Sequence, residues 1–235
     1  MYAVFKRELK AYFYSPIAYV LTGLFILMSS IIFLLMNVSA EYAQFNMSLT
    51  YMGLILTVII PMLTMKTLAE DRKNGTEVLL ISSPVSLSSI VMGKFLAACS
   101  VFFVMTAISL IYPIVTYVYG IPNTPELIGG YLGFILLGIT FISIGILASS
   151  LTENQVIAAV ISFVSLLVMF FMMFVAELFG GTVAKVLNWF SLLSRDSEFN
   201  QGILSLGSII YYLSFTAVIL FLTVRIIDRK RWSQG

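Results

Sequence analysis

The sequence predicts an all-α polytopic membrane protein, with six transmembrane helices in a single domain that spans residues 1–235. Of the 235 residues, 60% are hydrophobic and only 10% are charged, and the mean hydropathy is +1.03. Soluble domains carry about 25% charged residues, so lipid must be the main solvent of this chain. Its apolar stretches are long and continuous, which favours membrane-spanning helices over short strands of alternating polarity.

Several kinds of chemistry are excluded by what the sequence lacks. It has no histidine, which excludes histidine-based zinc sites and Ser-His-Asp triads. Its one cysteine, Cys99, cannot form an internal disulfide. No predicted span carries an ionisable residue near its middle, which argues against a proton-driven carrier. Gly93-Lys94 is followed by Phe95 and lacks the upstream glycine of a P-loop, so no nucleotide site of that kind is predicted.

The N-terminal residues 1–15 predict a short amphipathic helix. Apolar side chains at helical spacing form one side of it: Tyr2, Phe5, Leu9, Tyr12 and Phe13. Lys6, Arg7 and Lys10 lie on the other side. This pattern is typical of a helix lying flat on an anionic leaflet, with Phe5, Lys6, Arg7 and Lys10 as its interfacial anchor. The alternative is that these residues are only the basic flank of the first span.

Six stretches are long enough to cross the bilayer, for which a helix needs ~20 residues. They are residues 17–38, 51–68, 95–119, 127–149, 156–179 and 208–227, each to within a few positions. Pro61 and Pro113 lie inside two of them and predict kinks or freed carbonyl groups. Gly129 and Gly133 form a GxxxG pair, which allows close helix packing. We expect that packing within one subunit, in preference to a dimer interface.

Residues 182–207 are too polar to span the bilayer. They follow a helix break at Gly180-Gly181 and contain apolar residues that share a helical face. The pattern predicts one or two short helices at the outer leaflet. We expect Val183, Leu187 and Phe190 to be buried against the membrane domain.

The positions of the basic residues predict the orientation. With both termini inside, eleven of the thirteen Lys and Arg residues lie on the inner side, and only Lys185 and Arg195 lie outside. Orientation follows Lys and Arg rather than net charge. We therefore expect a multi-pass protein of the cell inner (plasma) membrane with both termini in the cytoplasm.

The loop between the second and third spans is the longest loop that carries dense charge. It opens with Glu70, Asp71, Arg72 and Lys73. Charges of both signs next to two spans predict a docking element, through which a soluble partner moves the membrane domain. The alternative is an ordinary solvated loop.

An amphipathic segment follows these charges. Gly75 belongs to an Asn-Gly turn signal, Thr76 is a candidate N-cap, and Glu77 adds negative charge near a helix N-terminus. Leu79 and Leu80 are apolar, Pro84 ends the helix, and Ser86 or Ser88 is a candidate cap for the next. A second predicted inner turn contains Thr152, Glu153 and Asn154, and can touch the same partner.

Four segments of the chain resemble the permease subunits of ABC-2 type ATP-binding-cassette transporters, most closely the gliding-motility-type branch. They are FKRELKAYFYSPIAY, AEDRKNGTEVLLISSPVSLSSIVMGKFLAA, GYLGFILLGITFISIGILASSLTENQVIAA and FNQGILSLGSIIYYLS. The resemblance implies an N-terminal elbow helix, a cytoplasmic coupling helix within residues 70–89, and outer re-entrant helices before the sixth span.

The resemblance also implies how the protein works. It implies an exporter in which two permease copies, as a homodimer or with a related chain, bind two separate ATPase subunits. ATP and magnesium would be bound by the ATPase partner, with no cofactor, metal or catalytic residue in this chain and no nucleic acid. A membrane scaffold or assembly factor with the same fold is the main alternative. A secondary carrier, channel or intramembrane enzyme is less well supported.

The predicted orientation can be tested by cysteine labelling in a Cys99→Ser background. Asn123→Cys and Ser197→Cys should react with an impermeant maleimide added from outside. Asn74→Cys and Glu153→Cys should react only after the membrane is opened. Labelling of position 74 from outside would contradict the orientation.

Overall fold

The computed structural model describes residues 1–38, 45–76, 85–119, 123–179 and 181–233. These residues are almost entirely helical, and no strand occurs among them. The helices are α1 (Tyr2–Tyr14), α2 (Pro16–Phe33, continued by a π-helical turn over Leu34–Val38), α3 (Phe45–Thr64), α4 (Ala69–Lys73), α5 (Leu87–Ser109), α6 (Ile111–Tyr119), α7 (Thr124–Leu151), α8 (Gln155–Leu178), α9 (Gly181–Phe190), α10 (Leu192–Asn200) and α11 (Leu206–Ser233).

Six helical segments in the described part of the chain are long and apolar enough to cross a membrane, which confirms the predicted number. They are Pro16–Val38, Phe45–Lys73, Leu87–Val118, Thr124–Leu151, Gln155–Leu178 and Leu206–Arg229. The third begins two turns earlier than the expected start at residue 95. Ser86 causes this difference, because its hydroxyl accepts a hydrogen bond from the amide of Ser89 and caps α5 at Leu87. Lys94 therefore lies inside a helix and not at its start.

Helix α7 lies at the centre of the molecule, with 72% of its most apolar window buried. It packs against α3, α5, α8, α10 and α11. Two glycines allow its closest contacts. A Cβ on Gly138 would lie 2.1 Å from Cζ of Phe102 in α5, and one on Gly145 would lie 2.1 Å from Oγ1 of Thr64 in α3. Helix α7 can therefore pack this closely against α5 and α3 only because residues 138 and 145 have no side chain.

The GxxxG pair is also used within the subunit, as expected. A Cβ on Gly129 would lie 2.5 Å from the carbonyl oxygen of Phe199, and one on Gly133 would lie 2.9 Å from Cβ of the same residue. Phe199 is fully buried and belongs to α10. The GxxxG pair therefore packs against a short helix of the same chain, and Gly129 and Gly133 are not available for a dimer contact.

The two helix-internal prolines have different effects. Pro61 remains inside α3, which continues to Thr64 before the chain turns. Pro113 follows the break between α5 and α6 and has no amide hydrogen to give to the carbonyl of Ser109. The hydroxyl of Tyr131 in α7 donates to that carbonyl instead, at 2.9 Å. The broken third span is thereby joined to the central helix.

Residues 181–200 form two short helices, α9 and α10, at the end of the bundle that we call the short-helix end. The expected burial of Val183, Leu187 and Phe190 is wrong: α9 has no buried residue, and Val183 and Phe190 are 54% and 41% exposed. Helix α9 packs mainly along α8, and Trp189 also contacts Tyr211 of α11, with 5.7 Å between the ring centroids. Most of its apolar side chains are nevertheless exposed. The second helix is buried instead, through Leu192, Phe199 and their neighbours.

Polar side chains fix α10 to the bundle. The amide nitrogen of Asn46 in α3 donates to the carbonyl groups of Glu126 and Asn200. Asn200 in turn donates to Thr50 Oγ1 at 3.0 Å and to a carboxylate oxygen of Asp196 at 2.9 Å. Burial raises the pKa of Asp196 to about 7, while the bond from Asn200 opposes that shift. These bonds satisfy polar groups that would otherwise be buried without partners.

The close approach at Gly138 can be tested with one methyl group. Gly138→Ala should lower the free energy of unfolding in detergent by about 1–3 kcal/mol, because the fully buried ring of Phe102 has no space to move into. Gly23→Ala is the matched control, since a Cβ at Gly23 meets no atom within 4 Å. The control should be neutral or slightly stabilising, because alanine favours helix by about 1 kcal/mol. Equal stability of the two variants would contradict the packing.

Candidate functional site

The predicted docking loop begins as a short helix fused to the second span. Helix α3 ends at Thr64, residues 65–68 form a turn, and α4 then carries the four charged residues Glu70, Asp71, Arg72 and Lys73. Gly75 has a φ of +69°, which confirms the predicted Asn-Gly turn. The hydroxyl of Thr76 donates to Asp71 Oδ1 at 2.9 Å and ties the turn to α4. Glu77, Leu79, Leu80 and Pro84 lie outside the described residues.

A buried lysine lies beneath this loop. Lys94 is only 2% exposed, and its ammonium lies 2.7 Å from Asp71 Oδ2 in α4 and 3.0 Å from Glu8 Oε1 in α1. It also donates to the carbonyl of Thr67 in the turn before α4. A buried cation requires such compensation, since desolvating an unpaired charge costs several kcal/mol. We call Lys94, Glu8, Asp71 and Thr67 the lysine joint.

The lysine joint forms because α1 lies directly on α5. A Cβ on Gly93 would lie 3.0 Å from Cβ of Val4 and 3.1 Å from the amide nitrogen of Phe5. The glycine before Lys94 therefore allows the backbone of α1 to approach, and this brings the carboxylate of Glu8 within reach of the ammonium. The joint thus connects α1, the loop helix α4 and the third span.

A serine of the central helix holds the turn between α3 and α4. Ser149 Oγ accepts hydrogen bonds from the amides of Leu68 and Ala69, at 3.1 and 3.0 Å, and lies 3.1 Å from the carbonyl oxygen of Met65, to which it donates. It supplies the bonds that the backbone loses where the helix is interrupted. The second span is therefore bent at a fixed position and attached there to α7.

The two predicted inner surfaces lie side by side, because α4 packs against both α7 and α8, which flank residues 152–154. Within that turn Asn154 caps α8, accepting from the amides of Val156 and Ile157 at 2.9 and 3.4 Å. Thr152 Oγ1 accepts from the amide of Asn154 at 3.1 Å. Glu153 is exposed, and its side chain makes no hydrogen bond or ion pair with the described residues. The turn thus presents one exposed carboxylate beside α4.

The predicted interfacial anchor is divided by the structure. Lys6 and Lys10 are exposed on α1, and Phe5 is half-buried. Arg7 contacts Glu8 at 2.5 Å and lies 3.9 Å from Asp71, so it borders the lysine joint. On the packed side of α1, the hydroxyl of Tyr12 donates to the carbonyl of Leu63 at 3.1 Å. Burial raises the pKa of Tyr12 above its ordinary value, so this hydroxyl keeps its proton.

Sequence reasoning missed two members of this site, Glu8 and Ser149. Glu8 has a recognisable signal, because Val4, Glu8 and Tyr12 follow at four-residue spacing and share a helical face. A carboxylate on the packed face of a basic helix predicts a buried cation opposite. Ser149 has no such signal, since serines are common in the spans and only the three-dimensional contact distinguishes it. Lys94 directly precedes the expected start of the third span at residue 95, and its burial was not predicted.

The lysine joint can be tested through its charge balance. Lys94→Met leaves the carboxylates of Glu8 and Asp71 without their shared cation, and should lower the free energy of unfolding by about 3–5 kcal/mol. Lys73→Met removes an exposed lysine of the same loop helix and should change it by no more than ~0.5 kcal/mol. The measurement is denaturant unfolding of the purified protein in detergent.

A triple variant separates lost charge from lost packing. Adding Glu8→Gln and Asp71→Asn to Lys94→Met removes all three charges and should recover most of the stability, because no orphan charge remains. If Lys94→Met were as stable as Lys73→Met, the joint would be energetically irrelevant.

The comparisons with known proteins agree with this architecture. The family model described as ABC-2 family transporter protein matches residues 2–234. No curated protein matches the sequence. Six apolar helices and this match identify a multi-pass membrane component, of a kind that is typically not catalytic and that implies partnership with an ABC ATPase subunit. Because the match covers nearly the whole chain, the protein belongs to the ABC-2 family of transporter proteins.

Proposed function

We propose that the chain is the membrane-spanning permease subunit of an ATP-driven exporter, that it forms the translocation path as a dimer, and that residues 70–89 couple it to separate ATPase subunits. The observation that carries the proposal is the lysine joint, because it attaches the root of this loop to both α1 and the third span. In this proposal the loop end of the bundle, which carries α4, faces the cytoplasm. The gliding-motility-type branch stays a prediction from the quoted motifs.

The attachment supports a role in force transfer. Asp71 is bound to Lys94 of the third span and Lys94 to Glu8 of α1, while the backbone of α4 continues directly from the turn held by Ser149. A solvated loop needs none of these bonds. A displacement of α4 by a partner would therefore move α1, α3, α5 and α7 together.

The exposed charges around this root suit a soluble protein partner. Lys73 and Glu153 are exposed on neighbouring surfaces, and Lys6 and Lys10 extend from α1. Charges of both signs favour one docking orientation and speed association, whereas buried apolar contacts supply most of the affinity. Leu79 and Leu80 are the apolar residues that the sequence offers for that purpose. Adenosine triphosphate and magnesium would be bound by the partner, as the family implies.

The distribution of exposed apolar surface supports a second permease copy. Only 28%, 22% and 28% of the most apolar windows of the first, fifth and sixth spans are buried. Lipid covers part of that surface, and a pair of subunits would enclose a path between two of these faces. Among the described residues, Lys94 is the only Lys, Arg, Asp or Glu within a span that is fully buried, and it is already paired. Walls without free charge suit a lipid-like or otherwise amphipathic cargo better than a small ion.

The coupling role can be tested with Leu79→Ala combined with Leu80→Ala. Full burial of each leucine against the ATPase would stabilise the complex by roughly 1.5–3 kcal/mol. The double variant should insert and fold, yet lose the co-purifying ATPase or uncouple ATP hydrolysis from transport in vesicles. Glu77→Lys should act in the same direction, because it reverses a charge at the docking surface.

A matched control uses the same chemistry elsewhere. Leu204→Ala combined with Leu206→Ala removes two leucines that are 57% and 75% exposed near the short-helix end. That variant should retain the ATPase and normal coupling. If the Leu79 and Leu80 variant behaves like this control, residues 70–89 are not the coupling element. A complex whose ATPase activity never responds to any cargo would favour the scaffold alternative.

A further inference from the structure

We propose that the cleft between α1 and the loop end of α3 binds the headgroup of a zwitterionic phospholipid, one that carries a phosphate and an ammonium group. The cleft has a volume of about 190 Å³. Its walls come from α1, from the start of α2 and from residues 62–70 of the second span. This inference goes beyond the proposed function and does not depend on it.

The cleft is lined by one cation and two carboxylates, of which Glu8 is already paired with Lys94, whereas the other two charged groups are not paired with each other. Lys66 and Glu70 both line it, four residues apart along the second span. In the described part of the chain, neither side chain takes part in an ion pair or a side-chain hydrogen bond. This differs from the adjacent lysine joint, where Lys94, Glu8 and Asp71 compensate one another. Lys66 is therefore available for a phosphate and Glu70 for an ammonium group.

The rest of the lining combines the polar side chains of Tyr12, Ser15 and Thr67 with apolar ones. Ile17 and Met62 line it, and Met62 is 40% exposed, so the cleft is open to the surroundings of the protein on that side. Tyr14 and Tyr19, which lie close in sequence to the lining residues, are 84% and 61% exposed. Exposed aromatic side chains are typical of the membrane–water interface. A ligand in the cleft would therefore contact charged side chains and the hydrocarbon of the bilayer at the same time.

The size of the cleft favours a headgroup over a whole small molecule. Sites that enclose a complete ligand usually measure about 300–1,000 Å³, and this cleft is smaller. A phospholipid needs to insert only its phosphate and amine, while its acyl chains stay in the bilayer beside Ile17 and Met62. The pairing of Lys66 with phosphate and Glu70 with ammonium selects phosphatidylethanolamine over phosphatidylglycerol, which has no amine.

Native mass spectrometry of the purified full-length protein tests this assignment. The protein is exchanged into nanodiscs with equal amounts of phosphatidylethanolamine and phosphatidylglycerol, and the lipids retained after release are counted. We expect one tightly held phosphatidylethanolamine per chain, retained several-fold more often than phosphatidylglycerol. Equal retention of the two lipids by the unmodified protein would overturn the proposal.

Variants locate the site. Lys66→Ala with Glu70→Ala should abolish the preference, whereas Lys185→Ala with Glu177→Ala, an exposed pair near the opposite end with the same loss of charges, should keep it. Glu70→Gln alone should remove the preference for the amine while total retention stays the same, and this result does not depend on how the double variant folds. An unchanged preference in Glu70→Gln would overturn the proposal.

Two further experiments test whether a lipid, a soluble compound or a second copy of the chain occupies the cleft. Soluble phosphoethanolamine at millimolar concentration should not displace the lipid, because it lacks the apolar part; full displacement would show a site for a soluble compound. Retention should also persist in a monomeric preparation. Loss of lipid whenever a dimer separates, or lipid exclusion when it forms, would instead assign the cleft to the second copy.

Discussion

The ammonium of Lys94 constrains the loop end of the molecule, because a cation that is 2% exposed must have anionic or carbonyl ligands on every accessible side. The ammonium thereby joins α5 to two other segments that are distant in the sequence: α1, through Glu8, and the turn with α4, through Thr67 and Asp71. None of the three segments can move independently without exposing a charge to hydrocarbon or leaving it unpaired. The joint therefore fixes the relative positions of these segments more than it adds net stability to the fold.

The turn at residues 65–68 also constrains the position of α4. A straight second span would have carried α4 away along its own axis. The interruption lets α4 lie against α7 and α8, and Ser149 satisfies the amides that the turn releases. A membrane interior tolerates interrupted helices only where other groups bond to the freed backbone. The same solution occurs at Pro113, where the hydroxyl of Tyr131 bonds to the carbonyl of Ser109. In both places α7 supplies the polar group.

Much of the fold could be predicted from the sequence, because hydrophobic length and the Ser and Pro signals act locally. The six spans, the helix over residues 1–15 and the Asn-Gly turn are examples. The burial of Lys94 was not predicted, since a lysine near a span end usually extends its ammonium to the interface. Here the packing of Gly93 on Val4 places α1 over Lys94, and the side chain is buried instead. The apolar side of α9 was assigned to the protein interior, but helical spacing cannot tell whether lipid or protein covers a face. Contacts between distant residues decide such cases.

The lysine joint also imposes an order on biogenesis. Glu8 and Asp71 are synthesised before Lys94, so two of the three charges enter the membrane region before the third exists. Until α5 has been made, the carboxylate of Glu8 has only solvent or the neighbouring Arg7 as its partner. Helix α1 can contact α2 and α3 once these have been made, but it docks on α5 only after Gly93 and Lys94 have been synthesised. The N-terminal helix, although translated first, is among the last parts of the loop end to reach its final position.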